Sequence, residues 1–489
     1  MLLSDILSGI EIISPEIPDI SIENITAKVS EIKSSSLFIF YKPHSVDINT
    51  VLKKITEKLP AVILTDIEIT EKLSIPVIRV KNARRAYSYV MFNFCNIDTK
   101  KLKFYGVTGS NGKTTTATML YKIFRKANVK CGFIGTGKIL INDEQISDTY
   151  YSMTTPDPDL LYPIIKKMEL CGCEKIVMEV SSHALSLFKI SPITFECAMF
   201  TNLTHEHLDF HKNTEEYFQA KLSLFRQSRI GIFNVDDAYG SRAFLECAES
   251  ISAISTGIKK DADVMAKETN ICSLFNLSFI YREKDVLFKV VLNIGGEYNV
   301  SNALLAIKCA LSAGIRKDII QSALEAIRNI EGRLEIVNDE PCVIIDYAHT
   351  PAALESVLNF IYSTKKTEQK IVSIFGCGGD RDREKRAIMA KISEKYSALT
   401  YITDDNSRSE DPMKILCEIE AGFSKNANYF MINDRERAIS EAILKSDKND
   451  IILIIGKGHE RYNIDADGYH SFNEKEIIEK ALSERKTSK

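Results

Sequence analysis

No two of the eleven cysteines in this 489-residue chain stand as a CxxC pair. The nearest two, Cys171 and Cys173, lack zinc-ribbon spacing, so no structural zinc site is read from them. Scattered thiols fit a reducing compartment, where most serve as packing residues. An excess of charge of either sign is also missing, the net charge being −3. That leaves no electrostatic reason to expect nucleic acid or an anionic membrane as a partner. No apolar run approaches the roughly 18 residues of a membrane span. Met1 to Ile10 carries an acid and no basic residue, so no signal peptide is expected there. The expectation is a cytoplasmic protein acting on small molecules.

Hydrophobic content of 45% and charged content of 26% belong to a globular chain. Its length is too great for one core and calls for about three domains.

The chain is organised around Phe104-Tyr105-Gly106-Val107-Thr108-Gly109-Ser110-Asn111-Gly112-Lys113-Thr114-Thr115. A strand-like alternation enters a glycine-rich turn, and a helix-compatible segment follows to Lys126. Such a turn lets backbone N–H groups point inward at a polyphosphate. Lys113 would reach the β/γ-phosphates, and Thr114 or Thr115 would offer a hydroxyl to Mg²⁺. The strict spacing wants glycine at position 107, where the chain has Val107. The strand before the turn and the helix after it support a nucleoside triphosphate site, and Gly109, Ser110, Asn111 and Gly112 line its turn.

Residues 1–98 read as a small α/β unit, with strands near Leu37–Tyr41 and Ala61–Leu64 and a helix over Thr50–Lys58 between them. Residues 99–331 alternate strands and helices, as a mostly parallel sheet would. Within them Ile176–Val180 is a short apolar run presenting Glu179, where an acid would orient Mg²⁺ at the phosphates. His205, Glu206, His207, Asp209 and His211 crowd one stretch. A His-Glu-x-x-His zinc motif would need histidine at 209, so that reading fails. A second Mg²⁺ site served by His207 remains open beside plain surface polarity. Lys221 lies in the amphipathic stretch Tyr217–Phe225 and by its pattern alone reads as a solvated lysine. Asn299-Val300-Ser301-Asn302-Ala303 opens a helix that an asparagine would cap.

From about residue 332 the pattern is more regular. Val343–Ile345, Ile371–Phe375, Tyr401–Thr403 and Ile451–Ile455 each run into a polar signature. Ligands of doubly wound sheets bind beyond the carboxyl ends of the strands. The four ends would therefore meet in one crevice with Arg381, Arg408 and Glu460. Two arginines suit carboxylates and a glutamate suits an ammonium, as a zwitterionic amino acid requires.

Taken together, these residues resemble the Mur ligase family, and within it the branch adding the third residue of the peptidoglycan stem peptide. The likeness spans nearly the whole chain. Its marks are Gly109 to Thr115, Met178-Glu179-Val180-Ser181-Ser182-His183, Asn202-Leu203-Thr204 through Asp209, Asp346-Tyr347-Ala348-His349-Thr350-Pro351 and Gly456-Lys457-Gly458-His459-Glu460. The family's phosphate loop also lacks the first glycine of the strict pattern.

The resemblance implies an α/β protein of three domains. These are a UDP-substrate domain (1–98), a central P-loop ATPase domain (99–331) and a Rossmann-like domain for the amino acid (332–489). It implies that Thr115 and Glu179 serve one Mg²⁺ and His207 another. Lys221 falls where the family has a lysine carbamylated by CO₂, which would turn a cation into an anion facing metal. Lys113, Asn302, Arg333 and Asp346 would contact ATP. Ser30, His44, Ser45 and Val46 would hold the UDP end of the acceptor, UDP-MurNAc-L-Ala-D-Glu, and Thr154, Thr155, Ser181 and Lys189 its muramoyl-peptide end. Arg381, Asp405, Asn406, Ser407, Arg408, Gly456 and Glu460 would hold the incoming amino acid.

Members that add meso-diaminopimelate typically show Asp-Asn-Pro-Arg where this chain has Asp405-Asn406-Ser407-Arg408. The arginine is kept, so meso-diaminopimelate is expected, with L-lysine as the alternative. The implied enzyme is a monomeric ATP-dependent acid–amino-acid ligase of peptidoglycan precursor synthesis. A P-loop ATPase that moves a partner is the rival from another class.

Overall fold

The computed structural model describes residues 1–42, 47–70, 72–146, 153–204 and 210–487. Among these, a four-stranded parallel sheet comes first, in the order Asn24–Thr26, Ser36–Phe40, Val62–Thr65, Val77–Arg79. The helix expected in this unit runs Ile48–Lys58 and is capped by the Asp47 side chain, which accepts from the Thr50 N–H at 2.9 Å.

The second sheet has eleven strands among the described residues. Its seven central strands are parallel, in the order Val264–Ser273, Ser252–Gly257, Ser228–Asn234, Phe195–Phe200, Lys103–Thr108, Lys175–Glu179, Cys131–Gly135. Antiparallel strands extend both edges. Lys103–Thr108 lies inside this sheet and is buried on both faces, as a central parallel strand should be. Phe104 enters a core shared with Met178 and Phe200, whereas Tyr105 and Val107 enter the opposite core with Phe124 and Leu304. Val107 is thus a packing residue of the strand, which explains why glycine is not needed there.

The first of these cores runs on into the N-terminal unit, through Leu37, Ile39 and Val90. The helix Ala83–Phe94 joins them, with Ser88 Oγ donating to the Phe188 carbonyl at 2.6 Å. Phe92 meets Tyr162 edge-on, ring centroids 5.9 Å apart.

The third sheet has six strands in the order Glu335–Asn338, Cys342–Asp346, Ile451–Ile455, Ile371–Phe375, Leu399–Ile402, Tyr429–Met431. Only its first pair is antiparallel. The four strands read from sequence are therefore neighbours, with their carboxyl ends on one edge. Separate apolar clusters cover the two faces, the doubly wound arrangement.

Candidate active site

The phosphate-type loop sits between the strand Lys103–Thr108 and the helix Lys113–Lys126. Gly109 and Gly112 both have positive φ, +145° and +86°. A side chain at 109 would bring its Cβ within 1.9 Å of Thr201 Oγ1, and one at 112 within 2.4 Å of Asn302 Oδ1. Each glycine is required by shape as well as by backbone. The strand end at Thr201–Asn202 fixes the loop from the side. Asn202 Oδ1 accepts the Asn111 N–H at 2.9 Å, and the Asn202 carbonyl accepts the Ser110 N–H at 2.8 Å. Lys113 Nζ donates to the carbonyls of Gly109 (3.0 Å) and Ser110 (2.7 Å).

Glu179 ends the adjacent strand and is fully buried. Its carboxylate accepts from Thr114 Oγ1 at 2.9 Å, from Thr136 Oγ1 at 3.2 Å and from the Thr136 N–H at 3.1 Å. The hydroxyl that meets Glu179 is that of Thr114; Thr115, the residue expected beside the metal, is buried and lines the same cleft. Thr136 Oγ1 also lies 3.1 Å from Thr154 Oγ1, and Thr155 Oγ1 donates to the Glu179 carbonyl at 2.9 Å. Glu179 therefore links the loop to the pair Thr154–Thr155. The Ser181 N–H donates to Thr155 Oγ1 at 3.2 Å, and the Ser181 side chain caps the helix Ser182–Ser186 by accepting the Ala184 N–H.

Lys221 corrects its reading as a solvated residue. It lies on the helix Thr214–Leu222, is 1% exposed, and donates from Nζ to the Gly109 carbonyl at 2.7 Å. Its Nζ is 4.4 Å from the Tyr217 ring centroid, and Tyr217 OH is 3.0 Å from Ser110 Oγ. The helix turns this face toward the loop, which a pattern of hydrophobicity could not reveal.

A cleft of about 280 Å³ opens in front of the loop, walled by Asn111, Thr114 and Asn302 on one side and by Asp346, Tyr347 and Val357 on the other. Arg333 spans the two sides. Its Nη2 donates to Thr114 Oγ1 at 3.2 Å and its guanidinium lies 4.5 Å over the Tyr347 ring. Asp346 accepts the N–H groups of Leu334 (2.7 Å) and Ala348 (2.8 Å), while burial pushes its carboxyl above the usual range. The asparagine cap expected for the next helix is not formed. The helix Tyr298–Ser312 starts after Glu297, and Asn299 and Asn302 sit inside it. Asn299 Nδ2 donates to the Gly295 carbonyl, and Asn302 Nδ2 to Asn299 Oδ1 at 2.8 Å. Asn302 Oδ1 in turn accepts from Thr116 Oγ1 at 3.3 Å, which ties this helix to the one that follows the loop.

The third sheet brings the other group together at its carboxyl edge. Asn406 Nδ2 donates to Glu460 Oε2 at 2.9 Å, and Tyr347 OH reaches Glu460 Oε1 at 3.4 Å. Burial, then the neighbouring Asp405, pushes the Glu460 carboxyl up. Gly456 has φ +118°, and a Cβ there would meet Asp405 Oδ2 at 2.7 Å. Arg408 donates to the carbonyls of Gly379 (2.8 Å) and Asn406 (3.1 Å). Ser407 is buried beneath, and Arg381 stands exposed on the neighbouring loop.

Two buried cations here went unread in the sequence. Lys457 Nζ donates to Asn406 Oδ1 and the Tyr462 carbonyl, each at 2.9 Å, and lies 3.5 Å from Asp405. Arg435 pairs with Glu474 at 2.7 Å. Together they hold the Asp405 carboxyl below the usual carboxylate range although burial opposes them. The Gly-Lys-Gly-His-Glu motif was the available signal for Lys457; Arg435 left none.

On the N-terminal side, Lys189 pairs with Asp157 at 2.7 Å. It lines a smaller pocket of about 80 Å³ with Tyr41, whose ring lies 3.9 Å beneath the Arg84 guanidinium. Ser30 is exposed on the short helix Val29–Glu31. His44, Ser45, Val46 and His207 lie outside the described residues.

Mg²⁺ prefers oxygen donors and keeps some of its shell for water and phosphate oxygens. A buried carboxylate between threonine hydroxyls suits that chemistry, and among the described residues no cluster of three or more His, Cys, Asp or Glu side chains forms a protein-only cage.

Residues 107–310 match the family profile of the Mur ligase middle domain, and residues 332–458 that of the Mur ligase, glutamate ligase domain. The chain is 38% identical over 476 residues to a UDP-N-acetylmuramoyl-L-alanyl-D-glutamate--2,6-diaminopimelate ligase of Clostridium tetani, covering 95% of this chain and 96% of the relative. The namesake ligase of Bacillus velezensis is 38% identical over 478 residues, covering 96% and 95%. A solved structure of such a ligase superposes with a TM-score of 0.69 at 24% identity, covering 99% of both chains. The folylpolyglutamate synthase of Mycobacterium tuberculosis gives a TM-score of 0.64 at 15% identity, over 76% of this chain and 92% of that one, a likeness of fold alone.

Proposed function

This chain belongs to the Mur ligase family, and we propose that it joins meso-2,6-diaminopimelate to UDP-N-acetylmuramoyl-L-alanyl-D-glutamate with consumption of ATP. The carrying observation is one cleft with two chemistries on its walls. The phosphate-type loop faces it from the central sheet, with Glu179 buried behind Thr114, while Tyr347 connects it to the crevice of Asn406, Arg408 and Glu460.

The work divides over three domains, 1–98 for the UDP end, 99–331 for ATP and 332–489 for the amino acid. A free carboxylate is a poor acyl donor. The terminal glutamate of the acceptor would attack the γ-phosphoryl group, giving an acyl phosphate and ADP. Lys113, at the head of the helix that follows the loop, would hold the charge of that transfer. Mg²⁺, when bound, neutralises phosphate charge; Thr114, Thr115 and Glu179 would hold it, with His207 at a second position. The amine of the incoming amino acid then attacks the acyl carbon, and phosphate leaves from the tetrahedral intermediate. Glu460 and Asn406 would orient that amine, and Arg408 would take the distal carboxylate that lysine lacks. Closure of the cleft would exclude water from the acyl phosphate.

Lys221 is proposed to carry a carbamate formed with CO₂. A carbamate keeps one N–H, enough for the bond to the Gly109 carbonyl, and adds an anion facing the metal. A cytoplasmic monomer supplied with soluble substrates and ATP is proposed as the working unit. No helix among the described residues is long and apolar enough to cross a membrane.

The test is phosphate release with ATP, Mg²⁺ and the UDP-linked acceptor, adding meso-diaminopimelate or L-lysine in turn. Release only with diaminopimelate is expected. Preference for lysine would sink the Arg408 assignment, and release indifferent to both would favour the ATPase rival.

A further inference from the structure

The loops carrying Arg381 and Arg408 are locked to one another in both directions. Each holds a non-glycine residue in the left-handed region, Asp380 at φ +54° and Arg408 at φ +52°. Such backbone persists only where the surroundings hold it. For Asp380 the holding groups come from the other loop. Its N–H donates to Glu410 Oε1 at 2.6 Å, and its carboxylate accepts from Ser409 Oγ at 2.7 Å and the Ser409 N–H at 3.2 Å. For Arg408 the traffic runs back, since its Nη1 donates to the Gly379 carbonyl at 2.8 Å. The Gly379 N–H donates in turn to the Asn406 carbonyl at 2.9 Å.

Arg381 Nη1 donates to the Asp380 carbonyl at 3.1 Å. The two guanidiniums therefore rest on consecutive carbonyls of a single loop, and the geometry of that loop fixes their separation. Beneath it Arg386, wholly buried, grips both Glu410 oxygens (3.0 and 2.9 Å), Glu418 (2.7 Å) and the Gly378 carbonyl (3.3 Å). Glu410 is thereby anchored from below while it holds Asp380 from the side. Ser407 has no ring to fix φ ahead of Arg408, so the setting of that arginine depends on these cross-loop bonds.

We propose that Ser409 and Glu410, acting through Asp380, are positioning residues that set the spacing of the Arg381 and Arg408 guanidiniums, and with it the preference for a ligand carrying two separated carboxylates. This rests on the reading of the crevice as the amino-acid site. A ligand with one carboxylate uses only part of that spacing and is less affected when it loosens.

The experiment compares wild type with Ser409→Ala, Ser409→Thr and Glu410→Gln, titrating meso-diaminopimelate and L-lysine separately at saturating ATP and acceptor. Loss of a hydrogen bond to a charged group should raise KM for diaminopimelate by about tenfold in Ser409→Ala and Glu410→Gln, with kcat and the KM for ATP within about twofold of wild type. The diaminopimelate-to-lysine preference should fall by the same factor, and Ser409→Thr, which keeps the hydroxyl, should restore it. Ser409 is exposed, so its variants test the idea even if Glu410→Gln folds poorly. Folded variants that keep the wild-type preference overturn the inference alone. A wild type whose phosphate release ignores the amino acid, or does not prefer diaminopimelate, overturns the crevice reading and this inference with it.

Discussion

Lys221 Nζ and the carbonyl oxygen of Gly109 are 2.7 Å apart, so a buried helix lysine is fastened to the first glycine of the phosphate-type loop. An ammonium in such a place is expensive unless its charge is used or removed. If Lys221 is carbamylated, stripping CO₂ from the buffer should depress phosphate release and bicarbonate should restore it. Lys221→Arg keeps a cation yet accepts no CO₂. It should lose activity by at least about a hundredfold, the scale of a lost charge-stabilising group, without responding to bicarbonate. A fully active Lys221→Arg enzyme would remove the carbamate from the reading.

Gly109→Ala should damage the loop beyond the usual price of a left-handed alanine. Its Cβ would lie 1.9 Å from Thr201 Oγ1, and that hydroxyl is engaged by the Asn111 carbonyl at 2.6 Å. Overpacking of this kind costs about 1–3 kcal/mol. Gly314→Ala is the control: φ is +82° there, but nothing lies within 4 Å of the added carbon. Its penalty should be confined to backbone strain of about 1–2 kcal/mol. Urea denaturation should rank the two, and only Gly109→Ala should weaken nucleotide binding.

Thr114 and Thr115 can be separated by removing one hydroxyl at a time. Thr114 Oγ1 is held between Glu179 (2.9 Å) and Arg333 (3.2 Å). Thr114→Val should raise the Mg²⁺ concentration for half-maximal rate by about tenfold or more, as loss of a hydrogen bond to a charged group implies. Thr115→Val should be the milder change. The reverse order would return the metal role to Thr115, where the family resemblance puts it.

The sequence was most informative where chemistry forces residue types into short order. The phosphate-type loop, the acid closing Lys175–Glu179 and the polar strand ends of the third sheet all announce themselves locally, because backbone turns and strand ends need particular residues at particular offsets. The parallel order of those strands then followed from their apolar runs. Residues that act across the fold left no such mark. Thr136 joins Glu179 to Thr154 only because two strand ends come side by side, and Arg386 anchors a loop that is remote in sequence. Lys221 was misread for the same reason: helical periodicity says which face is apolar, not which carbonyl waits opposite. An asparagine cap is expected over residues 299–303 on residue type, although the helix begins at Tyr298 and puts both Asn299 and Asn302 inside.

His459 should make stability depend on pH in the opposite sense to a salt-bridged histidine. Its imidazole wedges between the central and third sheets, so close to Gly137 that a Cβ there would come within 2.5 Å of it, with the Tyr347 ring 5.1 Å away. Burial first, and then the Arg333 guanidinium, lower its pKa from 6.5 to about 4; Lys138 and Arg461 act the same way and Glu331 opposes. An unfolded chain binds the proton near pH 6.5, whereas the folded one refuses it until near pH 4. Between these values the unfolded state holds more protons, so stability falls as pH drops through the window and is unaffected by this group above it. The loss at pH 5 relative to pH 7 should be about 2 kcal/mol, and about 3 kcal/mol at full protonation. His459→Gln removes the titration, so its urea midpoint should fall less than that of wild type between pH 7 and pH 5, even though it starts lower through lost packing. Equal pH slopes for the two proteins would mean that the imidazole takes up its proton without leaving the wedge.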